Sequence, residues 1–272
     1  MEDRHILIES FTDTQACSKA NKLSPRTKQM QAKTRLYFPG FEAISPVYKS
    51  VQPVIDVLED TTFHCARMHI NETDKIAVLN FGNAYRPGGG VEDGAMAQEE
   101  CLCRASNLYV SLTLPYIKRN YYSWNSKNTG NRGTDAIIYS PGVTVFKTDQ
   151  PVPQMMNEEE WFEVDVLTCA APYNDTSRKR PFSQEQLKDI FTKRIENIFA
   201  VAIANDVDVL VLGAFGCGAF NNPPEIVAQV FKQMIFQKGY GRYFKKILFP
   251  IKANDGQGRN NYQVFSEYLI TL

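Results

Sequence analysis

The sequence lacks any long apolar run. No stretch approaches the roughly 20 residues that a membrane-spanning helix needs, and the N-terminus has no apolar segment of the kind that directs export. An intracellular protein, cytoplasmic or nuclear and without a membrane partner, is therefore expected. Net charge is also lacking. Thirty Lys and Arg balance 30 Asp and Glu, which excludes a global positive field that would recruit nucleic acid or an anionic membrane. An anionic ligand would have to be held by local donors. The six cysteines (Cys17, Cys65, Cys101, Cys103, Cys169 and Cys217) form no CxxC pair, and without an export signal they are expected to be reduced thiols. Cys101 and Cys103 stand two apart on a predicted helix and cannot face one ion. His64 and His69, five apart, do not share a helical face. No metal and no cofactor are expected. Internal repeats, low-complexity blocks and strong linkers are missing too.

What is present suits one buried core: 272 residues at 43% hydrophobic content. Residues 1–45 are polar, with basic residues between Lys19 and Arg35, and read as a peripheral N-terminal extension with one helix; residues 46–272 read as the main domain. Val51, Val54, Ile55 and Leu58 recur at helical spacing, and Thr61 or Thr62 can cap a second short helix. Residues 75–80 form the first predicted strand, followed by a helix over 97–108 and a long surface loop over 116–134. Two strands meet at Pro141-Gly142, another spans 163–170, and Ser183 caps a helix reaching Ala204. Residues 207–212 are a continuous apolar run, as in a strand covered on both faces. A helix over 225–237, a strand over 246–251 and a closing helix complete an α/β layered fold with a mixed sheet.

Two loops carry the chemistry. After the first strand come Asn80, Asn83 and the run Gly88, Gly89, Gly90; Gln98, Glu99 and Glu100 then open a helix. A glycine run lets backbone approach a ligand and aims successive N–H groups at an anion. Glutamates in a first turn also complement the helix dipole. The second loop, Gly213 to Phe220, contains Gly216, Cys217, Gly218 and Ala219 and runs between the 207–212 strand and a helix started by Pro223-Pro224. Strand, glycine loop and helix start make a diphosphate seat. The GKS/T ending of a Walker loop and the GxGxxG spacing are both absent.

Gly88 to Gly90 followed by Gln98-Glu99-Glu100, with VLNFGNAYRPGGG, QEECLCRASNLY, IIYSPGVTVF and LGAFGCGAFNNPP around them, resembles the microbial-type poly(ADP-ribose) glycohydrolases over about two-thirds of the chain. The resemblance implies a three-layer macrodomain-like fold, a central mixed β-sheet flanked by helices. It implies hydrolysis of ribose–ribose O-glycosidic bonds in poly(ADP-ribose), or in ADP-ribosylated protein, with ADP-ribose as product released from chain ends. A monomer is expected. By the same resemblance Asn83 contacts a ribose and Phe220 packs on the distal ribose. Glu100 is the candidate general acid and base, while Glu99 orients ribose hydroxyls. No covalent glycosyl-enzyme is expected, because successive helix residues diverge by about 100° and form no opposed carboxylate pair. Two rival readings are a hydrolase removing single ADP-ribose units from protein or nucleic acid, and a non-catalytic ADP-ribose reader. The intact glutamate pair disfavours the reader.

Overall fold

The computed structural model describes residues 2–42, 48–50, 52–70, 74–174 and 181–270. Its strands are β1 (Arg35–Tyr37), β2 (Val54–Leu58), β3 (Ile76–Phe81), β4 (Ile137–Val145), β5 (Phe162–Cys169), β6 (Val209–Val211) and β7 (Lys246–Pro250). They form one mixed sheet in the order β1-β4-β5-β3-β6-β7-β2. β5, β3, β6, β7 and β2 run parallel, while β4 lies antiparallel to β5 and β1 antiparallel to β4.

Alternation along the parallel strands separates two cores. Ala77, Leu79, Leu167, Cys169, Leu210, Ile247 and Phe249 face one side. There they meet α8 (Gln184–Ala204), α9 (Pro224–Lys232) and α10 (Gly256–Leu269). Ile76, Val78, Val164, Val166, Val209, Val211 and Leu248 face the other. That side is covered by α1 (Glu2–Ser18), α2 (Leu23–Lys33), α3 (Thr62–His69), α4 (Gln98–Ala105) and α5 (Leu108–Leu112), and by the helical run of α6 (Pro115–Ile117), a π-turn over Lys118–Ser123 and α7 (Trp124–Asn128). Both faces are apolar, so the strands read as continuous hydrophobic runs. The result is the three-layer α/β arrangement expected. No helix among the described residues is long and apolar enough to cross a membrane.

Several elements differ from expectation for identifiable reasons. Residues 54–58 are a strand, not a helix, pairing in parallel with β7 from Val54↔Lys246 to Leu58↔Pro250. Apolar spacing over so few residues fits either structure, and β-branched Val54, Ile55 and Val57 favour the strand. The two strands around Pro141-Gly142 are one strand, β4, whose register shifts between Ser140 and Val143; a bulge absorbs the proline. The helix expected over 97–108 stops at Ser106, which turns extended at φ −146° and bridges Val145 before α5 begins. The loop expected over 116–134 is mostly helical, with Tyr121 and Tyr122 buried. Residues 2–37 hold two helices and an edge strand where one helix was expected. The boundary at 45/46 lies outside the described residues.

Candidate functional site

Parallel strands in one sheet direct their carboxyl ends to one edge, where the following loops gather. The loops after β2, β3, β5, β6 and β7 all contribute to a cleft of about 560 Å³ there. The second glycine loop (Gly216, Gly218, Ala219, Phe220) forms one wall, and Phe81, Met96 to Gln98 and Cys101 form another. Asp60 to Thr62, Asp149 to Pro151, and Lys252 to Asn261 close the rest. Those last groups had no sequence signal. Reading β2 as a helix hid the fact that Asp60 follows a strand of the same sheet.

Gln98 is the hinge of the first loop. The Phe81 N–H donates to Gln98 Oε1 at 2.8 Å, and Gln98 Nε2 donates to the Leu79 carbonyl at 2.8 Å and to Thr62 Oγ1 at 3.1 Å. Its amide thus pairs with the end of β3 as a neighbouring strand would, and fixes where α4 starts. Glu99, the next residue, turns inward and is buried. It accepts the Asn83 N–H at 2.7 Å and the Asn80 amide at 3.4 Å. Burial raises its carboxyl from 4.5 to about 8; the Asn83 N–H pulls the other way, and the like charge of Glu100 adds to the rise.

Glu100 is also buried, yet both its oxygens meet main-chain donors, Gly90 N–H at 2.8 Å and Ala97 N–H at 3.1 Å. The glycine run is folded over it. Gly88 and Gly89 are both left-handed, at φ +67° and +57°. A Cβ on Gly89 would stand 2.3 Å from Glu100 Oε1 and 3.2 Å from Glu99 Oε2. Any other residue would be strained at that φ and would displace the Glu100 side chain. Asn83 Oδ1 accepts the N–H groups of Tyr85 and Arg86 at 2.8 and 2.9 Å, closing its own turn. What it can offer a ligand is therefore its Nδ2.

In the second loop Gly216 is left-handed (φ +78°), and a Cβ would come within 2.5 Å of Ala171 Cβ. Asn222 Nδ2 braces the turn through the Pro172 and Gly216 carbonyls at 2.9 and 2.8 Å. Cys217 is buried, outside the cleft lining, and its carbonyl accepts Gln257 Nε2 at 3.1 Å. Among the described residues the N–H groups of Gly216, Gly218, Ala219 and Phe220 donate to no protein acceptor, which leaves them for an anion. The Phe220 ring meets Tyr173 edge-on at 5.7 Å.

The sequence-predicted residues thus fall in two groups. Gln98, Gly216, Gly218, Ala219 and Phe220 line the cleft. Asn83, Gly88 to Gly90, Glu99 and Glu100 form a second cluster, joined to the cleft through Gln98 and Phe81 and outside its lining. Among the described residues no group of three or more His, Cys, Asp or Glu side chains is placed to hold a metal ion.

A sequence model of the microbial-type PARG (poly(ADP-ribose) glycohydrolase) catalytic domain matches residues 5–148. The fold is similar to the crystal structure of poly(ADP-ribose) glycohydrolase from Thermomonospora curvata: 28% identity, 98% of this chain and 99% of that one covered, TM-score 0.82. The same enzyme bound to the inhibitor ADP-HPD matches at 29% identity and TM-score 0.80, with 98% of each chain covered. Poly(ADP-ribose) glycohydrolase from Deinococcus radiodurans in complex with ADP-ribose is 31% identical, with 91% of this chain and 98% of that one covered and a TM-score of 0.79. No curated protein matches the sequence. Fold and sequence kinship agree, and the chain belongs to the microbial-type poly(ADP-ribose) glycohydrolase family.

Proposed function

We propose that the chain hydrolyses the ribose–ribose O-glycosidic bonds of poly(ADP-ribose), releasing ADP-ribose, with Glu100 as general acid and base. The carrying observation is the close approach of the Gly89 backbone to the glutamate pair, where a Cβ would stand 2.3 Å from Glu100 Oε1. A module that merely held ADP-ribose would have no use for two buried carboxyls beneath a phosphate-binding turn. In this reading the free N–H groups of Gly216 to Phe220 take the diphosphate, Phe220 supports the distal ribose, and the first glycine turn presents its anomeric carbon toward the glutamates.

Bond cleavage passes through an oxocarbenium-like state and needs a proton on the departing oxygen. A carboxyl oxygen that accepts one amide hydrogen bond keeps a lone pair, so Glu100 can carry that proton while anchored to Gly90 and Ala97. After departure the same group takes a proton from water, completing hydrolysis. Glu99, raised to about 8, is largely neutral at pH 7 and can both donate to and accept from ribose hydroxyls. In the same reading residues 46–272 carry the catalysis, and helix α1 of the N-terminal extension buttresses it. The Arg4 carbonyl lies 2.7 Å from where a Cβ on Gly94 would stand, and Thr14 Oγ1 donates to the Arg104 carbonyl of α4 at 2.6 Å.

Purified protein incubated with poly(ADP-ribose) should yield free ADP-ribose. Glu100→Gln should lose turnover by at least about a thousandfold while still binding ADP-ribose in calorimetry. A Glu100→Gln variant that stays active would remove Glu100 from its role. Cleavage confined to single ADP-ribose on protein or nucleic acid would replace the substrate assignment.

A further inference from the structure

From Cys101 to Thr134 the chain has no Asp or Glu, although it contains 30 of them in all. Within that stretch the helical run Pro115–Asn128 buries Ile117, Tyr121, Tyr122 and Asn125. The opposite side faces solvent with Lys118, Arg119 and Lys127, together with Tyr116 and Trp124, which are 45% and 49% exposed. Among the described residues the three cations join no ion pair. In a chain of zero net charge, this is a local cationic strip with aromatic rings set into it.

Its position gives the strip a purpose. The turn that ends the run is bonded to the first loop of the candidate site and reaches the second through Tyr173. The Tyr85 hydroxyl, three residues before Gly88, donates to the Gly130 carbonyl. On the other side the Tyr173 N–H donates to the Asn131 carbonyl at 2.9 Å, and Asn131 Nδ2 returns to the Tyr173 carbonyl at 3.0 Å. Tyr173 in turn meets Phe220. Fully buried Arg194 holds the turn in place, donating to the Arg132 carbonyl at 3.1 Å and to the Ala170 carbonyl at 2.6 Å. The strip therefore adjoins the turn between the two glycine loops and extends along the helical run for about 18 Å at 1.5 Å per helical residue.

We propose that this face binds the uncut remainder of a poly(ADP-ribose) chain, the polymer beyond the bond being hydrolysed. Each repeat of that polymer carries two phosphates and one adenine. Cations alternating with exposed aromatics form the surface that holds single-stranded polyanions with stackable bases. The inference rests on the glycohydrolase reading for its ligand, yet a binding experiment can separate the two.

In a Glu100→Gln background, which prevents cleavage, the anisotropy of labelled long poly(ADP-ribose) is measured for three proteins. These are the parent, one with Lys118→Glu, Arg119→Glu and Lys127→Glu, and one with Trp124→Ala. The triple substitution should weaken polymer binding at least tenfold and reduce the slope of log K against log salt by about 2, at roughly 0.7 per cation lost. Trp124→Ala should weaken it about tenfold. Calorimetric affinity for ADP-ribose should not change, which also reports that the variants are folded. Unchanged polymer affinity in both variants overturns the proposal, and so does an equal loss for polymer and ADP-ribose. An unsubstituted enzyme that cleaves no polymer would defeat the functional reading alone, because polymer binding in the Glu100→Gln background still decides the role of the strip.

Discussion

Glu99 and Glu100 are sequence neighbours, both buried, with different hydrogen-bond donors. Glu100 has a main-chain N–H for each oxygen, whereas Glu99 meets one main-chain N–H, from Asn83, and a longer contact from the Asn80 amide. That difference has a measurable consequence for stability. The folded carboxyl of Glu99 titrates at about 8 against 4.5 ordinarily. Between those values the folded state keeps a proton that the unfolded chain has released, so stability falls as pH rises through the window. The full linkage is roughly 5 kcal/mol. Glu99→Gln should therefore flatten the decline of the unfolding midpoint between pH 5 and 8, read by calorimetry. An identical slope in the variant would mean that Glu99 ionises normally and is solvated. Such a pairing of neighbours was only half legible in the sequence. The spacing from Gly88 to Glu100 marked the cluster, but which oxygen meets which N–H depends on the fold of the turn.

At the scale of elements, what the sequence revealed and concealed follows from local physics. The Ser183 capping box was readable, and its N–H and side-chain bonds with Gln186 are formed at 2.9 and 3.2 Å. β6 was readable because a run buried on both faces has few alternatives. The helical run over 115–128 was not, since asparagines, serines and a wide π-turn hide a period that is still visible in the burial of Ile117, Tyr121 and Asn125. Gln98 carried a family signature but no hint of its work, which is to clamp α4 onto β3. Gln98→Ala removes three hydrogen bonds and strands the Leu79 carbonyl and Phe81 N–H. The expected cost is about 2 kcal/mol. The unfolding midpoint should drop by several degrees, and Phe81 amide exchange should accelerate. Unaltered exchange at Phe81 would show that the end of β3 holds itself.

For the molecule as a whole, zero net charge and a polyanionic substrate look mismatched until the donors are located. In the proposed reading the seat for one ADP-ribose unit is built from uncharged N–H groups at the sheet edge, those of Gly216, Gly218, Ala219 and Phe220 foremost. Three cations with no ion pair among the described residues, Lys118, Arg119 and Lys127, stand along the 115–128 helical run. Recognition of the unit being cut and attraction of the chain behind it are thus assigned to different physical forces. Main-chain dipoles act at contact distance and release few counterions, whereas exposed lysines and arginines act through a field that salt screens within about 10 Å at 0.1 M. ADP-ribose affinity measured by calorimetry should accordingly change less than about threefold between 50 and 200 mM salt, while affinity for long polymer falls by more than tenfold. A steep salt dependence for free ADP-ribose would place charged side chains in its seat, with Lys252 of the cleft wall the first to substitute.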